Sequence, residues 1–151
     1  EYSLWARDPE GGNLQACREF GMGFMAYSPL GRGFLTGKVR DHRSIAPDDS
    51  RRTHPRFIPG TIEHNVTLLP QLELLAREKG ITMPQLALAW VLAQGKDVFP
   101  IPSNKSILHL EENLKALEIR LSAEDLARLD HLMPMNAAKG DRGTDMGRMN
   151  L

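Results

Sequence analysis

Gly23-Phe24-Met25-Ala26-Tyr27-Ser28-Pro29-Leu30-Gly31-Arg32-Gly33 is an apolar run that breaks into a polar, glycine-rich turn. Such a run reads as a short strand buried on both faces. Upstream, Asp8-Pro9-Glu10 offers a helix start, and Leu14, Cys17 and Phe20 repeat at amphipathic spacing up to Gly21. Before that, Glu1-Tyr2-Ser3-Leu4-Trp5 reads as a strand already under way, with no initiator methionine, cap or turn before it. The expectation is that the chain is a segment of something longer. Strand, helix, strand with short connections argues for a parallel sheet or a (β/α) barrel. With 151 residues, 41% of them hydrophobic, the chain supports one core, so one domain or part of one is expected.

Downstream of the turn, residues 37–60 are dominated by Arg, Asp, His, Ser and Pro, with charge clusters at Asp48-Asp49 and Arg51-Arg52. A loop of this length predicts a mobile lid whose cations lack local partners. Ile62, Val66, Leu69, Leu72, Leu75 and Ala76 mark a helix ending near Gly80, with Pro70 predicting a kink or break inside it. A second helix is expected over 84–94, with Leu86, Ala87, Trp90 and Val91 facing inward. Val98-Phe99-Pro100-Ile101-Pro102 reads as another buried strand, limited by its prolines to its first residues and ending in Ser103-Asn104-Lys105-Ser106. Ser106 is placed to cap a helix running through Leu117, and Ser122 another whose buried stripe is Leu126, Leu129 and Leu132. The tail, 134–151, is expected to be ordered only by contact with something else.

Two polar turns would thus lie at the carboxyl ends of strands, Ser28 to Gly33 and Ser103 to Ser106. In an α/β barrel that edge carries the active site, and the loops after the last two strands often hold phosphate on backbone N–H groups and a helix N-terminus. Each turn taken alone is equally compatible with a plain structural turn. Other chemistry fares worse. Gly31-Arg32-Gly33 lacks the third glycine of the dinucleotide fingerprint, Thr36 standing there. Gly37-Lys38 has Arg32 and Val39 where a P-loop needs glycine and a hydroxyl. The five histidines show no metal-ligand spacing, and Glu111-Glu112 project about 100° apart on a helix, so they cannot share one substrate bond. Lys plus Arg and Asp plus Glu balance at 19 each, which gives no field for nucleic acid or an anionic membrane. No apolar run approaches the roughly 18 residues of a membrane span, and Cys17 has no partner. The expected setting is reducing and cytoplasmic.

The order of motifs carries more than any one of them. Glu1-Tyr2-Ser3-Leu4-Trp5, then the run from Gly23 to Gly37, then Pro84-Gln85-Leu86-Ala87-Leu88-Ala89-Trp90, then Ile101-Pro102 and Leu110-Glu111-Glu112-Asn113-Leu114 together resemble the aldo-keto reductase family over nearly the whole chain. The resemblance implies an α/β fold, the C-terminal half of a (β/α)8 TIM barrel from strand six to strand eight, of the type with a long loop after strand seven. It implies that Tyr27 stacks on a nicotinamide and that Ser28, Leu30, Gly31 and Arg32 wrap a pyrophosphate. Lys105 and Ser106 would hold the 2′-phosphate of NADPH, and Glu112 with Asn113 would bind the adenine amino group. His109 stands where relatives often carry arginine, and Ser103-Asn104 where many carry Gly-Thr, which keeps NADH as the lesser alternative. The implied activity is reduction of an aldehyde or ketone. The tyrosine acid, lysine, aspartate and histidine of the family's catalytic set fall in the missing N-terminal half of the barrel, so no catalytic residue is assigned here. Two other readings stand beside the enzyme: a non-catalytic cofactor-binding subunit similar to channel-associated β subunits, and an inactive fragment.

Overall fold

The structure is a computed structural model that describes residues 1–149. Its parallel sheet consists of β1 (Phe24–Tyr27) and β2 (Val98–Ile101), with Phe24 opposite Val98 and Tyr27 opposite Ile101. Parallel strands require a long crossover, because no tight turn returns the chain to the same end of the sheet. That crossover contains α2 (Ile62–Val66), α3 (Leu69–Glu78) and α4 (Met83–Ala93). Pro70 sits in the first turn of α3, where its missing N–H costs nothing, so the expected interruption is a complete break between α2 and α3. α4 begins at a capping box that the sequence reading missed: the Thr82 hydroxyl accepts from the Gln85 N–H and the Gln85 side chain accepts from the Thr82 N–H. Leu86, Ala87, Trp90 and Val91 are buried as expected, and so are Leu88 and Ala89.

Trp90 lies at the centre, with the Tyr2 ring centroid 5.3 Å away and the Arg7 guanidinium 5.1 Å above its ring. A second aromatic group stacks Trp5 on Phe34 at 3.9 Å, with Phe57 edge-on to both. These aromatics belong to one buried core with Leu35, Ile62, Leu69, Leu72 and Leu75.

Several expectations need correction. The segment Glu1 to Trp5 is buried but forms no strand among the described residues; Ser3 makes one antiparallel bridge with Ala6. The reason is local: the Ser3 hydroxyl accepts from the N–H groups of Trp5 and Ala6, both at 3.1 Å, and turns the chain back on itself. The first helix is split into a 3-10 turn (Asp8–Gly11) and α1 (Asn13–Glu19), with Phe20 exposed beyond its end. β1 and β2 are buried on one face only. Met25, Tyr27, Phe99 and Ile101 stand on the other face at 70, 38, 53 and 49% exposure, because no layer among the described residues covers it. Pro100 does not end β2, which runs on to Ile101.

Ser106 caps α5 (Ile107–Leu114) by accepting from the His109 N–H, but the helix tightens to a 3-10 turn at Lys115–Glu118 and leaves Leu117 exposed. Ser122 caps α6 (Ala123–Leu132) through a box with Asp125, and of its stripe only Leu129 is fully buried, with Leu126 and Leu132 half-buried. The loop at 37–60 contains two 3-10 turns, His42–Ser44 and Ser50–Thr53, and three of its cations sit in close ion pairs: Arg40 with Glu73, Arg43 with Asp41, Arg51 with Asp49. Acidic neighbours two residues away on the N-cap positions supply two of these partners. The tail packs on this loop and ends, among the described residues, in α7 (Met146–Met149); residues 150–151 lie outside them.

Candidate dinucleotide cleft

The parallel register puts the exits of β1 and β2 on one edge of the sheet, so their two turns face each other. Between them lies a cleft of about 1130 Å³, walled also by the loop at 36–51, the C-terminal half of α3, the start of α4 and one face of α5. Its lining carries six basic side chains, Arg32, Lys38, Arg40, Arg51, Arg77 and Lys105, against three carboxylates, Asp49, Glu73 and Glu112. In a chain with balanced charge this is a concentrated positive hollow. Glu73 pairs with both Arg40 and Arg77, at 2.8 and 2.6 Å, and offsets one of their two charges.

The first turn has an unusual backbone. Ser28 and Arg32 have φ of 50° and 54°, a region that non-glycine residues seldom enter, and Gly31 between them has φ of 55°. A Cβ on Gly31 would come within 2.7 Å of Trp5 Cε3, so the turn is held against the aromatic group from behind. Arg32 Nη2 lies 3.8 Å from the Glu1 carboxylate, and Arg32 Nε is buried with no hydrogen-bond partner. Burial pushes the Glu1 carboxyl above its ordinary range, against the pull of Arg56 and Arg32.

Seven of the ten residues singled out from the sequence line the cleft: Ser28, Leu30, Arg32, Lys105, His109, Glu112 and Asn113. The other three lie off the lining. Tyr27 ends β1 on the open sheet face beside Ile101, Gly31 is buried behind the turn, and the Ser106 hydroxyl is occupied in capping α5. Asn113 donates to the Asn104 side chain at 2.7 Å, which in turn donates to the Pro102 carbonyl, so helix α5 braces the second turn. The Gln85 side chain donates to the Glu112 carbonyl at 3.1 Å and ties α4 to α5. His109 Nε2 lies 3.3 Å from Lys38 Nζ, across the cleft.

Lys38, Asp49 and Arg51 were missed by sequence reading. Lys38 had only the P-loop resemblance to mark it, and Arg51 read as one of several lid cations without a local partner. In the structure Asp49 caps the 3-10 turn at Ser50–Thr53, and Arg51 bonds Asp49 at 2.6 Å and the Arg32 carbonyl at 3.1 Å. The Arg51 guanidinium and N–H, with Lys105 adding its charge, hold the Asp49 carboxyl down to about 2. Among the described residues no group of three or more His, Cys, Asp or Glu side chains is placed to hold a metal ion, and no helix is long and apolar enough to cross a membrane.

Known proteins resemble this chain in sequence and fold. Residues 1–134 match the model of the aldo/keto reductase family. A probable aldo-keto reductase 1 from Glycine max is 42% identical over 142 residues, covering 94% of this chain and 41% of the relative. An aldo-keto reductase from Klebsiella pneumoniae, solved in complex with NADPH, superposes with a TM-score of 0.64 at 31% identity, over 93% of this chain and 40% of that one. Another structure from Klebsiella pneumoniae, in complex with NADP and acetate, gives 0.63 at 32% identity over 94% and 40%. The chain thus spans about two fifths of the length of the relatives it matches, and its α/β fold is that of part of their TIM barrel. The chain belongs to the aldo/keto reductase family.

Proposed function

We propose that these residues form the cofactor-binding part of an NADPH-dependent oxidoreductase that reduces an aldehyde or ketone to an alcohol. The observation that carries this reading is the positive cleft between the two strand exits, six basic side chains against three acidic, which complements a dinucleotide bearing a pyrophosphate and a further phosphate. The residues fit such a group: Arg32 holds a buried, unpartnered Nε at the rim, and Lys105, exposed on the second turn, lies within the electrostatic reach of Asp49 on the other wall. Bound NADPH supplies a hydride. In this assignment Ser28, Leu30, Gly31 and Arg32 wrap the pyrophosphate, Gly31 by giving the backbone its shape rather than by touching the ligand. Glu112 and Asn113 meet the adenine, and Tyr27, at the end of β1, presents its ring to the nicotinamide. Lys105 takes the 2′-phosphate, with Ser106 setting the helix N-terminus behind it and His109 alongside. The loop at 37–60 covers the pyrophosphate. The proton for the carbonyl oxygen comes from outside residues 1–151. General acid catalysis needs a donor within hydrogen-bond reach of that oxygen, and no titratable side chain here has that assignment.

A non-catalytic cofactor-binding subunit would share the cleft, and only turnover separates it from the enzyme. Lys105→Ala in the complete barrel tests the cofactor assignment. A charge-assisted contact to a dianion contributes about 1 to 3 kcal/mol, so NADPH binding is expected to weaken by about tenfold or more while NADH is spared. Equal loss of both cofactors, measured by fluorescence titration, would count against the 2′-phosphate role.

A further inference from the structure

The loop that brings Arg51 to the cleft is fastened at its far side to the C-terminal tail, and the fastening is dense. Asn65, in α2, is fully buried, and its amide donates to the carbonyls of Arg56 and Lys139, both at 3.0 Å, and accepts from the Lys139 N–H at 2.8 Å. One side chain thus occupies both backbone groups of Lys139, much as a neighbouring strand would. Arg56 Nε donates to the Gly140 carbonyl at 3.1 Å, and Arg56 Nη1 to the Trp5 carbonyl at 2.8 Å. His54 accepts the Arg56 N–H on Nδ1, which places its proton on Nε2, and Nε2 donates to the Arg142 carbonyl at 3.0 Å. At Gly140, with φ of 88°, a Cβ would come within 2.6 Å of the Pro55 carbonyl oxygen, so the two backbones approach at a distance that only glycine permits.

His54 is also the C-cap of the 3-10 turn at Ser50–Thr53, its N–H donating to the Arg51 carbonyl at 3.1 Å. The residue that bonds the tail is therefore the residue that ends the turn carrying Arg51. Arg51 in turn bonds the Arg32 carbonyl in the cleft wall. From Lys139 to Arg32 the connection runs through buried and part-buried hydrogen bonds and one short 3-10 turn.

We propose that Asn65 and Gly140 are positioning residues for Arg51, so that the tail segment at 139–142 sets how tightly the cleft holds its dinucleotide; this rests on the cofactor reading given above. Neither residue lines the cleft. Loss of the Asn65 amide removes three of these hydrogen bonds, leaves the tail held only through His54 and Arg56 among the bonds named here, and so loosens the 3-10 turn, and Arg51 with it, against the wall.

The test is a double-mutant cycle in the complete barrel, with NADPH affinity read by fluorescence titration. Arg51→Ala alone and Asn65→Ala alone are each expected to raise Kd by about tenfold. In the Arg51→Ala background, Asn65→Ala is expected to add nothing further, because its effect passes through the missing guanidinium. Gly140→Ala, which perturbs the same contact from the tail side, repeats the cycle should Asn65→Ala not fold. Trypsin cleavage after Arg51 and Arg52 is expected to accelerate in the Asn65 and Gly140 variants. Full additivity of the two substitutions, unchanged affinity in Asn65→Ala and Gly140→Ala, or an Arg51→Ala protein that binds NADPH normally each overturns the proposal while leaving cofactor binding itself standing. If the unmodified barrel binds no NADPH, the functional reading fails and takes the proposal with it.

Discussion

A methyl group at Gly31 would meet two obstacles at once, a left-handed backbone and the face of Trp5. The backbone alone costs a non-glycine residue about 1 to 2 kcal/mol, and displacing Trp5 from its stack on Phe34 adds to this. Gly31→Ala is therefore expected to lower the free energy of unfolding by at least that much, read as a drop in the urea midpoint at unchanged slope; a midpoint within error of the unmodified protein would show that the turn relaxes freely. His54 gives a residue-scale prediction in pH. Burial, and next the Arg32 charge, push its pKa below the ordinary 6.5, so above that pH the ring is neutral in both folded and unfolded chains. As pH falls through 6.5 the unfolded chain takes up the proton first, and stability declines until the folded pKa is passed. Thermal unfolding between pH 7.5 and 5.5 is expected to fall more steeply for the unmodified protein than for His54→Gln. Parallel slopes would mean that His54 does not titrate differently on folding. Ser28, Arg32 and Lys105 stood out in the sequence because their turns follow apolar runs, whereas His109 was singled out only through the family resemblance. Sequence reading missed Lys38 and Arg51, whose contacts reach across 71 and 19 residues of sequence, which no local pattern encodes.

Helix boundaries were legible wherever one side chain sets them. Ser106, Ser122 and Pro70 act on backbone groups within four residues, so their effect is written in the local sequence. The box at Thr82 and Gln85 was equally local and was overlooked because Pro84 already accounted for the start of α4. It carries a testable load. Thr82→Ala removes one side-chain acceptor and is expected to cost about 1 kcal/mol, read as a shift in urea midpoint with unchanged slope. A changed slope would mean that the substitution alters the compactness of one of the end states instead. The opening segment was misread for the opposite reason. Its apolar residues are buried as the pattern requires, but whether they form a ladder depends on a neighbouring strand, and Ser3 turns the backbone inward first. Likewise, a continuous apolar run predicts two covered faces for β1 and β2, whereas within this chain helices cover only one.

For the molecule as a whole, the cleft is present while the open sheet face and the exposed apolar residues of α5, among them Ile107, Leu108 and Leu114, lack a covering layer. Residues 1–151 alone are expected not to oxidise NADPH with aldehydes or ketones at rates near those of the complete barrel, since loss of a general acid removes about 10² to 10⁴ in rate. Comparable turnover by the isolated chain would reveal an acid among these residues. The register of the sheet has a further consequence in time. Phe24 pairs with Val98, so the first ladder bond of the sheet cannot form until nearly two thirds of the chain has emerged and its crossover has been laid down. Helices such as α3 and α4 depend on neighbours a few residues away, but the two strand exits that flank the cleft are set side by side by this distant pairing, and contacts of large sequence separation form slowly. In refolding, helical ellipticity is thus expected to return before the burial of Trp90, and the cleft between the two strand exits is the last feature to take shape.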